Sequence, residues 1–451
     1  MQMSRIRCSI LGAVFLAAIL SARPARAADS LLWSTNRNGV TADIQDWNLP
    51  KLLGKIRALT GWQVKMEPGT SATITARFSN IPPDEALNRL LGNVNFTKDS
   101  SNGVSRLLVY RTAASAATQA IEPSPPEVKD YRIPNELLVL LKRNSTESID
   151  DLAKVLGAKV VSRDDRLKLY RLQFADAAAA TAAANQLGGD NSVGMVDSNY
   201  TVDRPTPAQS NPLTGAASQT PVLNPKSLAN GVVIGLIDTA VQMQDGFSQY
   251  SLPPITVVGQ PNEPPDQITH GTSMFETLLQ GMGSDPGKIL PVDVYPSGDS
   301  TTTYQVLEGI VAAINSGANI INLSLGGTGD SSALQSLIAQ GTQKGVLFVA
   351  ASGNTPGAAL TYPAAYSGVL AVTASDPNGQ LASYANDGPF VKAMEPGTSI
   401  VSLNGQAWLE EGTSTATAFA TAAIAQIINE QHVTVNQAVN QFIQSHPPPK
   451  P

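Results

Sequence analysis

Cysteine is almost missing from this sequence. Its 451 residues hold one, Cys8, inside an apolar run near the N-terminus. A product without that run has no thiol, so disulfides, cysteine-bound zinc and a cysteine nucleophile are excluded together. Histidine is nearly as scarce. Of three, His446 sits in the tail HPPPKP, where nothing in the sequence positions it, and His432 ends a helical stretch. Only His270 is left with chemistry to offer, and a His-rich metal site is excluded. Charged residues make up 15% and the formal net charge is -6. Without a basic stripe to neutralise phosphates, nucleic acid is excluded as a partner. Long hydrophobic runs are absent too. The N-terminal one, Cys8 to Leu20, has 13 residues, about 20 Å as a helix against the roughly 30 Å of a bilayer core. Arg5 and Arg7 precede it and Ala25-Arg26-Ala27 follows, so residues 1–27 read as a signal peptide cut after Ala27. The expected product is secreted or periplasmic, with no membrane anchor after signal removal.

Apolar residues make up 42%, interrupted by 36 Gly and 31 Pro, enough for buried cores between frequent turns, and the length suggests about three domains. Charge is unevenly placed. From Ser227 onward there are 4 Lys, no Arg and 16 acidic residues, a net of -12, whereas residues 28–226 carry 22 basic and 20 acidic side chains, a net of +2. Residues 28–112 read as a small α/β unit: a helical stripe at Leu49, Leu52, Leu53, Ile56 and Leu59, an alternating strand from Ala72 to Phe78, a helix opening at Pro82-Pro83-Asp84-Glu85, and a strand from Arg106 to Arg111. Its central FSNIPPDEALNRLLGNVNF resembles the short N-terminal (STN) domain of secretins and TonB-dependent receptors, which implies a βαββαβ fold and docking to an envelope protein. An adaptor that only assists folding is the plainer alternative. Residues 113–134, rich in Ala, Pro and Ser, read as a linker. Residues 135–204 suggest a second βαββαβ unit with a ferredoxin-like fold. Residues 205–226, with scattered Pro, Ser and Thr, have the composition of an exposed, cleavable segment.

From Gly231, short Val- and Ile-rich strands alternate with helices, which predicts an α/β fold with a mostly parallel sheet covered on both faces and reacting groups at the carboxyl ends of its strands. Asp238 ends the apolar run Val233 to Ile237, so a buried strand delivers its carboxylate to that edge. It could equally cap a loop. His270 stands at the start of a helical run, where a histidine often only caps or packs. Ser273, Ser399 and Ser414 each follow Gly-Thr, and their surroundings separate them. Ser399 precedes a strand and Ser273 shares the helix of His270, while Ser414 opens the small-residue helix TATAFATAAIAQII, where the helix dipole favours developing negative charge. A serine hydroxyl becomes a nucleophile when a histidine takes its proton and a buried carboxylate orients that histidine.

The order Asp238, His270, Ser414, with the segments VIGLIDTAV, HGTSM, ANIINLSLGG, VLFVAASGN, YPAAYSGVLAV, LASYANDGPFVKAMEPGTSI and GTSTATAFATAAIA, resembles the subtilisin-like serine peptidases. The resemblance runs over residues 227–445, leaving 446–451 as a tail. It implies a subtilisin-like sheet, an Asp238, His270 and Ser414 triad, and Asn354 as side-chain donor to the oxyanion; in isolation Asn354 would read as a turn residue after Gly353. It also implies that Ser324, Leu325, Gly326 and Gly327, with Ala350, Ala351, Ser352 and Gly353, wall the primary pocket and pair with extended substrate. Thr361 falls where many relatives carry Gly at the pocket floor, which implies a shallow pocket for small or medium apolar side chains. Val196 to Tyr200 resembles the end of propeptides of the fervidolysin type, so residues 135–204 are expected to chaperone and then plug the peptidase.

There are departures. Ala240 replaces the family's usual Gly, and Ala418 and Phe419 stand where it has Pro and His. The chain from Leu278 to Pro291 is too short for the family's strong calcium loop. No metal or other cofactor is expected. The expected partners are protein or peptide substrates, basic ones attracted by the net of -12, and the chain's own propeptide, which should be cut off between about Pro205 and Lys226 by the molecule itself. The alternative is a catalytically inactive envelope binding or scaffold protein acting through its N-terminal domain.

Overall fold

A computed structural model describes residues 30–34, 39–101, 104–123, 131–203, 209–217, 231–260, 267–282, 287–296, 300–355 and 360–448. The expected signal peptide lies outside them, as do residues 205–208 and 218–226 of the expected cleavable segment. The chain forms two units, 1–125 and 126–451.

In the first unit the elements are β1 (Ser30–Ser34), β2 (Gly39–Asn48), α1 (Leu49–Thr60), β3 (Gln63–Met66), β4 (Thr73–Ile81), α2 (Pro83–Leu91), β5 (Asn95–Ser101), β6 (Val104–Tyr110) and β7 (Gln119–Ala120). They form two sheets, β1-β2-β4 and β5-β6-β3-β7. The helical stripe and the Pro-Asp-Glu helix start fall where the sequence puts them, with Leu49, Leu52, Leu53, Ile56, Leu87 and Leu90 buried in one core. Asn48 caps α1 through Lys51 N–H, and Gly61 ends it in the left-handed region at φ 68°. Two readings change. The βαββαβ expectation misses β1, which pairs antiparallel with β2, and β5, which pairs antiparallel with β6, the strand expected at Arg106 to Arg111. Residues 114–121, read as linker, fold onto this unit: β7 pairs with β3, Ile121 is buried, and the Arg57 guanidinium donates to the Ile121 carbonyl.

The second unit begins with β8 (Arg132–Leu141), α3 (Ile149–Leu156), β9 (Lys159–Asp164), β10 (Leu169–Gln173), α4 (Ala177–Leu187) and β11 (Val193–Asp203). This is the expected βαββαβ order, in an antiparallel sheet β11-β8-β10-β9. One core of this subdomain collects Leu137, Val139 and Leu172 with Leu152, Ala180 and Leu187 of the two helices. Leu138, Leu169 and Val202 instead join a core with Tyr304 and Leu307 from further along the chain.

Then come β12 (Gln209–Ala217), β13 (Val233–Asp238), β14 (Ile255–Thr256), α5 (His270–Met282), β15 (Lys288–Asp293), β16 (Ser300–Thr302), α6 (Thr303–Asn315), β17 (Ile320–Leu323), α7 (Ser332–Gln343), β18 (Leu347–Ala351), β19 (Val369–Ser375), β20 (Val391–Pro396), β21 (Thr398–Leu403), β22 (Gln406–Glu411), α8 (Thr413–Gln431) and α9 (Val435–Ser445). Seven strands form one parallel sheet, β14-β15-β13-β17-β18-β19-β20. Its strands read as continuous apolar runs because both faces are covered. Met274, Phe275 and Leu278 of α5 and Ile424 of α8 lie in one core, and Ile310 of α6 and Ile338 of α7 in another. Small residues let α8 lie close to α5: a Cβ on Gly281 would stand 2.7 Å from that of Ala422. Separately, β21 and β22 form a hairpin through Asn404-Gly405, both at positive φ (51° and 82°), the backbone that a two-residue turn requires and Asn-Gly supplies. None of the helices among the described residues is long and apolar enough to cross a membrane. His446, read as unpositioned, stacks on Phe442 with ring centres 4.6 Å apart and reaches toward the buried Glu395.

Candidate active site

Asp238 is the last residue of β13 and is buried; its carboxylate accepts from the N–H of Thr239 at 2.7 Å and meets His270 Nδ1 at 2.8 and 2.9 Å. The β13 strand fixes the carboxylate and the first turn of α5 fixes the ring. That turn is brought in by a close approach: a Cβ on Gly271 would lie 2.1 Å from the Thr239 carbonyl oxygen. Thr239 Oγ1 then accepts from Gly271 N–H at 2.8 Å, and Thr269 Oγ1 donates to the Ala240 carbonyl at 2.7 Å. The Ala240 departure thus leaves the pair in place.

Ser414 is buried in the first turn of α8, where backbone N–H groups lack helical partners. Its Oγ stands 3.4 Å from the Ser324 carbonyl oxygen, and Ser324 Oγ donates to the Ser414 carbonyl at 3.1 Å, so the end of β17 and the start of α8 hold each other. Asn354 follows β18. Its Oδ1 accepts from Thr413 N–H at 2.9 Å and Thr413 Oγ1 at 2.8 Å, which turns Nδ2 toward Gly412, 3.2 Å from where a Cβ there would be. A side chain there would press on that amide. Thr413 therefore ties Asn354 to the residue before Ser414, a role sequence reasoning missed although Thr413 lies in the quoted GTS triplet. The departures Ala418 and Phe419 lie within α8: Ala418 is fully buried and the Phe419 ring faces Gly281.

The expected pocket residues also come together. Thr361 stands between the two walls: its methyl lies 2.8 Å from a Cβ position on Gly326 and its hydroxyl 2.9 Å from one on Gly353. Leu325, Ala350, Ala351 and Ser352 are buried behind them. Asn386, buried and missed in the sequence, pins this floor: Nδ2 donates to Thr361 Oγ1 at 3.0 Å, Oδ1 accepts from Thr355 N–H and its own N–H donates to the Gly353 carbonyl. The one hint was its place in the YANDG turn. Tyr362 and Gly327 exchange two backbone hydrogen bonds at 2.7 and 3.0 Å.

The ferredoxin-like subdomain reaches Gly326. The end of β11 pairs antiparallel with β16, Thr201 opposite Thr302, and Asp203 bridges to Gly326. Asp197 accepts from Ser331 Oγ and Ala333 N–H at the start of α7, and Asn199 Oδ1 accepts from Tyr304 N–H at the start of α6. Asn199 Nδ2 donates in turn to Glu136, which Arg171 grips with two nitrogens at 2.7 Å. The expected exposed segment is in part a strand: β12 pairs with β22, Gln209 opposite Glu411. Among the described residues no cluster of side chains could hold a metal ion.

The subtilase family profile matches residues 229–445 and that of the fervidolysin N-terminal prodomain matches 118–199. A thermostable alkaline protease of Halalkalibacterium halodurans is 32% identical over 232 residues, 47% of this chain and 62% of that one. The minor extracellular protease Epr of Bacillus subtilis is 34% identical over 204 residues, 43% of this chain and 31% of that protein, and subtilisin amylosacchariticus of Bacillus subtilis subsp. amylosacchariticus is 28% identical over 292, 61% and 76%. The chain thus spans under two thirds of the first two relatives' lengths. Crystal structures of fervidolysin from Fervidobacterium pennivorans (TM-score 0.53, 18% identity, 67% of this chain and 55% of that) and of the epidermin leader peptide processing protease of Staphylococcus aureus (TM-score 0.51, 18% identity, 68% and 91%) share the fold. Residues 229–445 thus match the subtilase family and share the subtilisin-like fold. A fervidolysin-type prodomain precedes them.

Proposed function

We propose that the protein is an exported serine endopeptidase made as a zymogen. Ser414 Oγ attacks the scissile carbonyl carbon while His270 takes its proton; Asp238 holds the other ring nitrogen and stabilises the imidazolium. The tetrahedral oxygen is received by the Ser414 N–H and Asn354 Nδ2. His270 then gives the proton to the leaving amine, and water hydrolyses the acyl-enzyme by the same route in reverse. The observation that carries this reading is the buried Asp238–His270 contact of 2.8 Å at the carboxyl end of the parallel sheet, with Ser414 opening α8. A fluorophosphonate probe tests it: the processed protein should be labelled and Ser414→Ala should not. Absence of labelling in a folded, processed sample contradicts it.

The prodomain acts as plug and first substrate. β11 bridges to Gly326 and β12 pairs with β22, and self-cleavage falls between about Pro205 and Lys226. The substrate pocket takes small or medium apolar side chains because Thr361 fills its floor. Residues 28–112, as an STN-like domain, dock an envelope partner; co-purification of the full chain with and without them tests this.

A further inference from the structure

One face of α5 is polar although the helix is buried. Ser273, Glu276, Thr277 and Gln280, spaced i, i+3, i+4 and i+7, form a single stripe. Each is bonded to the β21–β22 hairpin. Ser273 Oγ donates to Glu410 Oε1 at 2.9 Å, Glu276 accepts from Ser402 N–H at 2.7 Å, Thr277 Oγ1 meets Ser399 Oγ at 2.9 Å, and Gln280 donates to the Ile400 carbonyl at 2.7 Å. The seam joins the helix that begins with His270 to the hairpin that runs straight into Ser414. Its first bond is the nearest to both: Ser273 is one turn from His270 and Glu410 four residues before Ser414, and both side chains are buried.

We propose that the Ser273–Glu410 hydrogen bond is the positioning link that sets His270 against Ser414 for proton transfer. This rests on the peptidase reading above. Neither residue touches substrate. The bond acts by holding the α5 start and the end of β22 in one register, and a misplacement of about 1 Å at a reacting pair can cost on the order of 10²-fold in rate. The rest of the seam stabilises the hairpin on the helix and, along α5, lies progressively farther from His270.

The test uses the purified full chain after self-cleavage, with active sites counted by fluorophosphonate labelling and turnover of an internally quenched peptide carrying residues 205–226. Ser273→Ala should lower kcat about 10- to 100-fold with KM nearly unchanged, and Ser273→Thr, which keeps the hydroxyl, should restore most of it. Ser273→Cys, of similar volume with a weaker donor, reads the same bond should Ser273→Ala not fold. Gln280→Ala, at the far end, should lower the melting temperature and leave kcat near wild type. Unchanged kcat in folded Ser273→Ala or Ser273→Cys, or an equal kcat loss in Gln280→Ala, overturns the proposal. A wild type that no probe labels overturns the peptidase reading itself and this inference with it.

Discussion

Asp197, on the last strand of the prodomain, closes the N-terminus of a helix that belongs to the peptidase domain: its Oδ2 accepts from Ser331 Oγ at 2.7 Å and from Ala333 N–H at 3.0 Å. A carboxylate there satisfies otherwise unpaired N–H groups and meets the positive end of the helix dipole. Asp197→Ala should weaken the docked prodomain by about 1–2 kcal/mol, roughly 5- to 30-fold in its dissociation constant. The measurement is the fraction of prodomain co-eluting with the processed protein at a series of dilutions; unchanged co-elution contradicts the capping role.

Thr413 occupies the Oδ1 of Asn354, which in the proposed mechanism leaves Nδ2 for the oxyanion. Asn354→Ala should lower kcat by about 10²–10³, a magnitude borrowed from the corresponding donor of subtilisin, with little change in KM. Thr413→Val should cost part of that by freeing the amide to turn. Steady-state kinetics on active-site-titrated protein decides both.

The Thr361 methyl lies 2.8 Å from a Cβ position on Gly326, and in the proposed reading it sets the pocket depth. Thr361→Gly should move the preferred residue on the acyl side of the cut toward Phe and Tyr by about 10-fold or more, the scale of one or two methylene-sized contacts. Cleavage profiling on a peptide library reads this, and a wild type that already prefers Phe or Tyr refutes the shallow pocket.

Burial lifts the Glu276 carboxyl above the ordinary carboxylate range, outweighing its hydrogen bonds from Ser402 and Gln280. The folded state therefore binds this proton more tightly than the unfolded state, so the contribution of Glu276 to stability is fully present below the ordinary range and declines as pH rises through the raised value. Glu276→Gln keeps an acceptor for Ser402 without the buried charge. In a Ser414→Ala background, to prevent autolysis, its melting temperature should gain on that of the parent as pH rises from 4 to about 8. A difference independent of pH contradicts this.

The parts of the molecule that were legible in the sequence are those with strong periodicity or close spacing. The strand ending in Asp238, the helix starting at His270 and the small-residue helix behind Ser414 each carry a local signature, and Asn354 came from its segment. Asn386 and the Ser273–Glu410 bond were not legible, because their partners are 25 to 137 residues away and single polar residues carry no period. The strand β12 was hidden for a different reason: its pairing is to the open edge of β22, so a Pro- and Ser-containing segment is tolerated without an apolar pattern. The strand β5 was missed likewise, being largely polar.

The most direct test of the account is self-cleavage of the purified precursor. Wild type and Ser414→Ala are followed over at least a 10-fold range of dilution, and the new N-terminus is determined by mass spectrometry. An intramolecular reaction at Ser414 requires a first-order rate independent of concentration and no cleavage in Ser414→Ala, and the cut is expected between about Pro205 and Lys226. Processing of purified Ser414→Ala as fast as wild type would contradict it.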